Sequence, residues 1–210
     1  VSRNDRSTLG GTETVGHLER LSHALQRTRG RTATIDRWGH TLAQVLGSGG
    51  RLLACGNGGS AAEAQHLTGE LVGKFRDDRT PLSAIALHAD TSAATAIGND
   101  YGAAEIYARQ VRAHGRAGDV FVGLSTSGSS ENVCAAAKAA RSAGLVTWAL
   151  TGPAPNSLES ICDDALPVDA PDTATVQEVH LAVVHAVCAA LDAELGRRDV
   201  ELGWDEVELG

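Results

Sequence analysis

The sequence predicts an α/β fold: a doubly wound, parallel, five-stranded sheet flanked by helices, with an N-terminal helical extension. Three observations carry this. Short apolar runs alternate with longer stretches of helical periodicity. Two of those runs end in polar, glycine-containing turns that open directly into helices. The chain has 210 residues, enough for one sizeable core and short for two.

Each element can be justified in order. Residues 1–13 are polar and contain glycine, so disorder is expected there. Over 14–47, Val15, Leu18, Leu21, Leu25, Ile35, Trp38, Leu42 and Val45 recur at helical spacing, and Gly30 divides them into two helices. RLLAC (51–55), bounded by glycines, reads as a buried strand. Residues 60–75 read as a helix capped by Ser60. SAIALH (83–88) is the second strand, and 91–98 and 103–114 are helical, separated by NDYG. DVFVGL (119–124) is the third strand, 131–143 an alanine-rich helix, LVTWAL (145–150) the fourth strand and DALPV (164–168) the fifth. A helix follows from about 174 to 195, and the acidic segment 198–210 is expected to be loose. Strands alternating with helices imply a parallel sheet covered on both faces. The right-handed crossover rule then places the turns after strands one and three at the same carboxyl edge. Residues 14–197 are read as a single domain.

Composition excludes several function classes. Hydrophobic residues make up 42% and charged residues 21%, the balance of a soluble globular domain. A net charge of −8 argues against a nucleic-acid surface, though backbone amides can still hold a small anion. Cys55, Cys134, Cys162 and Cys188 are scattered, with no C-x-x-C pair, so neither a zinc knuckle nor a disulfide framework is suggested. A reduced, cytoplasmic protein is expected. The first residues lack the apolar core of a secretory signal, and no apolar run reaches transmembrane length, so no membrane partner is expected.

The turn GNGGSA (56–61) links a strand to a helix. Glycines let a backbone approach a ligand, and the helix N-terminus offers unpaired N–H groups. The spacing also fits the dinucleotide pattern G-x-G-x-x-A, but Asp90 lies late for the acidic partner that pattern wants. A tight turn without a ligand would look the same. The second turn, STSGSS (125–130), supplies more hydroxyl donors than a helix cap needs, which favours a phosphate. A second such loop points to a sugar phosphate rather than a dinucleotide.

His66 and Glu70 are four residues apart, so on a helix they share one face. Such a pair can bind one divalent metal or be an ordinary solvated face; Ala61, Ala62, Ala64, Leu67 and Leu71 around it favour a largely buried helix. In VQEVHLAVVHAVCAAL, Gln177, His180 and His185 interrupt an apolar helix, and buried polar groups need partners. Gln177 and His185 lie about 12 Å apart along a helix axis. They meet only through long inward reach, an irregular first turn, or two different subunits.

Taken together, these residues resemble the sugar isomerase (SIS) domain and, more closely, the phosphoheptose isomerase family. CGNGGSAAEAQHLTGELVGKF (55–75), GNDYG (98–102), GDVFVGLSTSGSSENV (118–133) and VQEVHLAVVHAV (176–187) match its blocks in order. The resemblance implies a homotetramer with active sites between subunits and one Zn2+ per subunit. It implies metal ligands His66, Glu70, Gln177 and His185, with Glu70 and His185 as the acid–base pair. Asn57, Gly58, Gly59 and Ser60 would face the substrate, together with Glu70 and Gln177. Asn99 and Asp100 would lie near its hydroxyls, and Ser125, Thr126, Ser127 and Ser130 would hold the phosphate. The chain departs from the family at Glu63, where aspartate is usual, at Ser129, often asparagine, and at Thr175, often arginine. The implied reaction converts sedoheptulose 7-phosphate to D-glycero-D-manno-heptose 7-phosphate, or a stereochemical variant, through an enediol. One alternative is a non-catalytic tetramer that binds a protein partner, as the replication-initiator-associating relatives do; retention of Glu70 and His185 favours the enzyme. A phosphosugar-sensing regulatory domain ranks last, because the N-terminal helices lack basic character.

Overall fold

The structure is a computed structural model that describes the backbone of residues 6–202 and the side chains of 12–197. The expectations for residues 1–5 and 203–210 lie outside the described residues. The elements are α1 (Arg6–Thr28), a 3-10 turn (Arg29–Arg31), α2 (Thr32–Gly47), β1 (Leu52–Cys55), α3 (Gly59–Val72), β2 (Ala84–Ala86), α4 (Thr91–Tyr101), α5 (Glu105–His114), β3 (Val120–Ser125), α6 (Glu131–Ser142), β4 (Val146–Thr151), α7 (Ser157–Ile161), β5 (Asp164–Pro167) and α8 (Thr173–Leu202).

All neighbouring strands pair in parallel, in the order β2-β1-β3-β4-β5. The chain leaves β1 towards one edge and β3 towards the other, so their turns flank the point where strand order reverses. Alternate strand residues feed two cores. Leu52, Ala54, Val120, Val122, Trp148 and Leu150 pack with α2, α3 and α8. Leu53, Cys55, Phe121 and Ala149 pack with α5 and α6. Period-two burial on both faces is what a doubly covered parallel sheet requires.

α8 is long and apolar enough to cross a membrane by composition, but half of that stretch is buried inside the fold. It packs against α1, α2 and α3 as a core helix. Gly39 of α2 permits the closest approach: a Cβ there would fall 2.5 Å from the Ala190 Cβ on α8. All four cysteines are free and buried.

Four local expectations need correction. Residues 6–13 are helical, because α1 begins at Arg6. A helix docked further along propagates at low cost, one bond per added residue. α8 likewise continues to Leu202, past the expected stop near 195. Ser60 does not cap α3: Gly58, at φ 55°, is the N-cap, and no side chain bonds there. Only glycine takes that backbone freely. α4 runs through Asn99 and Asp100 and stops at Gly102, φ +87°.

Candidate active site

α3 and α8 run side by side in the same direction, and three contacts climb both helices together. Gly59 lies against the Gln177 amide, where an added Cβ would sit 2.5 Å from Nε2. Next, Glu63 Oε2 stands 3.7 Å from His180 Nδ1. Next, His66 Nε2 stands 2.8 Å from His185 Nε2. His180 is completely buried, and its Nε2 meets the Thr151 carbonyl at 3.1 Å. That carbonyl fixes Nε2 as the donor, leaving Nδ1 facing Glu63.

His66 Nε2 also lies 3.1 Å from Glu70 Oε1. The ligand atoms of His66, Glu70 and His185 all fall within 4.8 Å of one another. The i,i+4 spacing puts the first two on one face, and α8 delivers the third. Phe75, just beyond α3, packs on the His185 ring at 5.6 Å between centroids. Two imidazole nitrogens and a carboxylate oxygen are a donor set suited to zinc. Tetrahedral zinc spaces its ligand atoms by about 3.3 Å, close to the 2.8 and 3.1 Å that separate His66 from His185 and Glu70, so the residues fit such an ion. Within one chain the Gln177 amide is not in this cluster: it sits at Gly59, about two turns below His66.

The two polar turns are tied to each other. Asn57 and Asn132 exchange a reciprocal pair of amide hydrogen bonds, 2.9 Å each. The Tyr107 hydroxyl donates to the Gly56 carbonyl at 2.7 Å and reaches Asn57 Oδ1 at 3.3 Å. Burial, and secondarily the neighbouring Cys55, pushes the Tyr107 phenol up to about 12, so it stays a donor. In the second turn Ser125, the buried last residue of β3, pairs with Ser130 at 2.9 Å and with Ser127 at 3.4 Å. Ser130 is the N-cap of α6 yet makes no side-chain cap bond; Asn132 Oδ1 accepts from the Val133 N–H at 3.0 Å instead. Gly128, φ +60°, turns the loop against Asn156, whose Oδ1 caps α7 through Glu159 N–H at 3.0 Å. Thr126 lies beside Gly152, at the end of β4.

Asn99 and Asp100 are exposed at the end of α4, bonded to each other at 2.8 Å rather than to either turn. Asp90, the late acidic residue, caps α4 through Ala93 N–H at 3.0 Å. Thr175 donates to Asp172 at 3.0 Å and is fully buried, so it belongs to the start of α8 rather than to an open surface. Sequence reasoning passed over Asn132 and Tyr107. Asn132 stands in the quoted GSSENV stretch, but its partner is 75 residues away.

The chain shares its fold and much of its sequence with known proteins. The SIS domain profile matches residues 17–152. A phosphoheptose isomerase from Streptomyces coelicolor is 64% identical over 183 residues, spanning 87% of this chain and 79% of its own. The solved phosphoheptose isomerase from Neisseria gonorrhoeae matches with TM-score 0.80 at 42% identity, over 87% of this chain and 98% of that one. The one from Francisella tularensis matches with TM-score 0.83 at 34% identity, over 88% and 98%. The chain belongs to the phosphoheptose isomerase family of SIS-domain enzymes, and its reaction is an aldose–ketose isomerisation.

Proposed function

We propose that the chain interconverts sedoheptulose 7-phosphate and D-glycero-D-manno-heptose 7-phosphate, or a stereochemical variant, through an enediol. The observation that carries this reading is the His66–Glu70–His185 cluster: a carboxylate and two imidazoles within 4.8 Å of one another. Moving a hydrogen between C1 and C2 needs a base that reaches both carbons and an acid that manages the oxygen protons. Glu70 takes the carbon-bound proton and returns it to the neighbouring carbon. His185 exchanges protons with the two oxygens. Zn2+ held by His66, Glu70 and His185 would supply Lewis-acid polarisation of a carbonyl oxygen. Coordination would make the carboxylate a weaker base, so loose ligation would suit Glu70's role as the base.

The open groove beside the cluster, about 530 Å³, is lined only by α3 and its end: Ala62, Gln65, His66, Gly69, Glu70, Gly73 and Lys74. One chain therefore supplies a single wall. Glu70 also stands three turns, about 16 Å, along α3 from Gly59. Both facts support a homotetramer in which a neighbouring subunit brings its own turns and its Gln177 to this groove. The turns at Asn57–Ser60 and Ser125–Ser130 would then hold the sugar phosphate, and Asn99 and Asp100 would meet its hydroxyls through the same assembly. Leu181 on α8 and Val72 on α3 are exposed apolar side chains.

The test is to incubate the purified protein with sedoheptulose 7-phosphate and follow aldose phosphate formation, with chelator and with zinc restored. Loss on chelation and recovery with zinc support the site; product NMR names the epimer. No conversion under any metal would overturn the substrate assignment. Full activity in Glu70→Gln would remove Glu70 from proton transfer.

A further inference from the structure

Arg79 lies in the connection after α3, outside the cluster, and all three of its guanidinium nitrogens donate hydrogen bonds. Nη2 donates to the Glu70 carbonyl at 2.7 Å, and Nη1 to the Leu71 carbonyl at 3.0 Å and the Thr80 carbonyl at 3.3 Å. Nε donates to Asp192 Oδ1 at 3.0 Å. The side chains are only 12% and 18% exposed, so this ion pair is more sheltered than a surface bridge. Asp192 is seven residues beyond His185 on α8, which places it two turns further along the same face.

One planar side chain thus holds the last carbonyls of α3, including that of Glu70 itself, and ties them to α8. A helix's last carbonyls have no intrahelical partner, and an arginine satisfies several of them at once. The Glu63–His180 contact, 3.7 Å and without a hydrogen bond, lies one turn below His66. The cluster sits between the two. Any sliding or splaying of α3 against α8 at this end would move the Glu70 carboxylate relative to the His185 ring. Asp192 Oδ2 is buried without a hydrogen-bond partner, so the carboxylate depends on Arg79 for its compensation.

We infer that Arg79 and Asp192 are positioning residues of the isomerase site, setting the separation of Glu70 from His185 and thereby the cluster's hold on a divalent cation. This rests on the reading of the cluster as the metal-assisted isomerase centre. Second-sphere contacts that orient metal ligands typically change affinity 10–100-fold when removed.

The experiment titrates Co2+ into the full-length wild type, Arg79→Lys and Asp192→Asn, following the visible d–d bands. Melting curves and separate kcat and KM values for sedoheptulose 7-phosphate accompany it. Lysine keeps the charge but cannot span three carbonyls and a carboxylate. Asparagine keeps an oxygen for the Nε–H but loses the charge. Arg79→Lys is expected to melt cooperatively, lose Co2+ affinity about tenfold or more, shift the bands, and lower kcat with KM little changed. Asp192→Asn is expected to change in the same direction by less. Wild-type affinity and spectrum in both folded variants would overturn the inference, and so would a lower melting point alone. Should Arg79→Lys fail to fold, Asp192→Asn decides by the same criterion. A wild type that binds no Co2+ overturns the metal reading and this inference with it. Wild-type binding with unaltered variants overturns this inference alone.

Discussion

Gly59 of α3 lies directly beneath the side-chain amide of Gln177 on α8, with no room for a Cβ between them. This contact sets the register of the whole helix pair. Glu63 meets His180 one turn on, and His66 meets His185 after that. His66, seven residues along α3 from Gly59, is therefore placed by a contact at the helix's first residue.

Gly59→Ala should separate activity from stability. The atoms a new methyl would meet are the far end of a flexible side chain, which can swing aside. The expected stability change is within about 1 kcal/mol, since repacking relieves the overlap. Displacing Gln177, however, should lower kcat/KM on the order of 10–100-fold. Urea denaturation and steady-state kinetics on the same preparation check this. Unchanged kinetics would show that the position of Gln177 is immaterial.

Asn132→Ala should loosen the first turn from the second. It removes both amide bonds to Asn57 and the Asn132 bond to the Val133 N–H, leaving the Asn57 side chain with Tyr107 at 3.3 Å. The pair is exposed, so water replaces the lost partners and the melting temperature should move little. KM for the sugar phosphate should rise roughly tenfold, the scale of one to two net hydrogen bonds. An unchanged KM would mean that the bridge does not order the substrate turns.

Much of this was legible in the chain. Short apolar runs located all five strands, since a strand covered on both faces has no polar side to disguise it. The His66–Glu70 pair was legible because four residues bring two side chains onto one helix face. What could not be read was set by contacts distant in sequence. Nothing local signals that Asn132 bonds Asn57, that Arg79 reaches Asp192, or that His180 faces Glu63. The start of α3 was misplaced by one residue because serine is the stronger capping residue in general. Here the turn requires a positive φ, which glycine meets more easily than serine.

The thiols should be silent in the native protein. Burial pushes Cys162 up to about 12, with Asp163 adding to it. Burial does the same to Cys188, reinforced by Glu70 and Asp192, again to about 12. Cys55 is raised well above its ordinary value by burial, and Cys134 is raised by burial as well. At pH 8 a thiol of pKa about 12 is ionised about one part in ten thousand, and the thiolate is the reactive form. Iodoacetamide at pH 8 should label fewer than one thiol per native chain within minutes, and all four after denaturation. A stoichiometric native burst would show that one of these cysteines is reachable.

Acid should act partly through Asp164, which joins the start of β5 to α2. Its Oδ2 accepts from Arg37 at 2.6 Å and from Trp38 Nε1 at 2.9 Å, and Trp38 stacks on Trp148 at 4.7 Å. Burial pushes the Asp164 carboxyl up, but the hydrogen bonds from Arg37, Trp38 and the Ala165 N–H, with the Arg37 charge, outweigh it, and the net shift is down. A depressed folded-state value means the unfolded chain takes up the proton first as pH falls. The stabilisation is therefore present above the unfolded aspartate value, about 3.9, and is lost as pH drops through the lower folded one. Asp164→Asn should be less stable than wild type at pH 7, with the difference shrinking below about pH 4. Urea midpoints between pH 7 and pH 3, followed by tryptophan fluorescence, measure it. A constant difference across that range would place the effect in packing rather than in the carboxylate's charge.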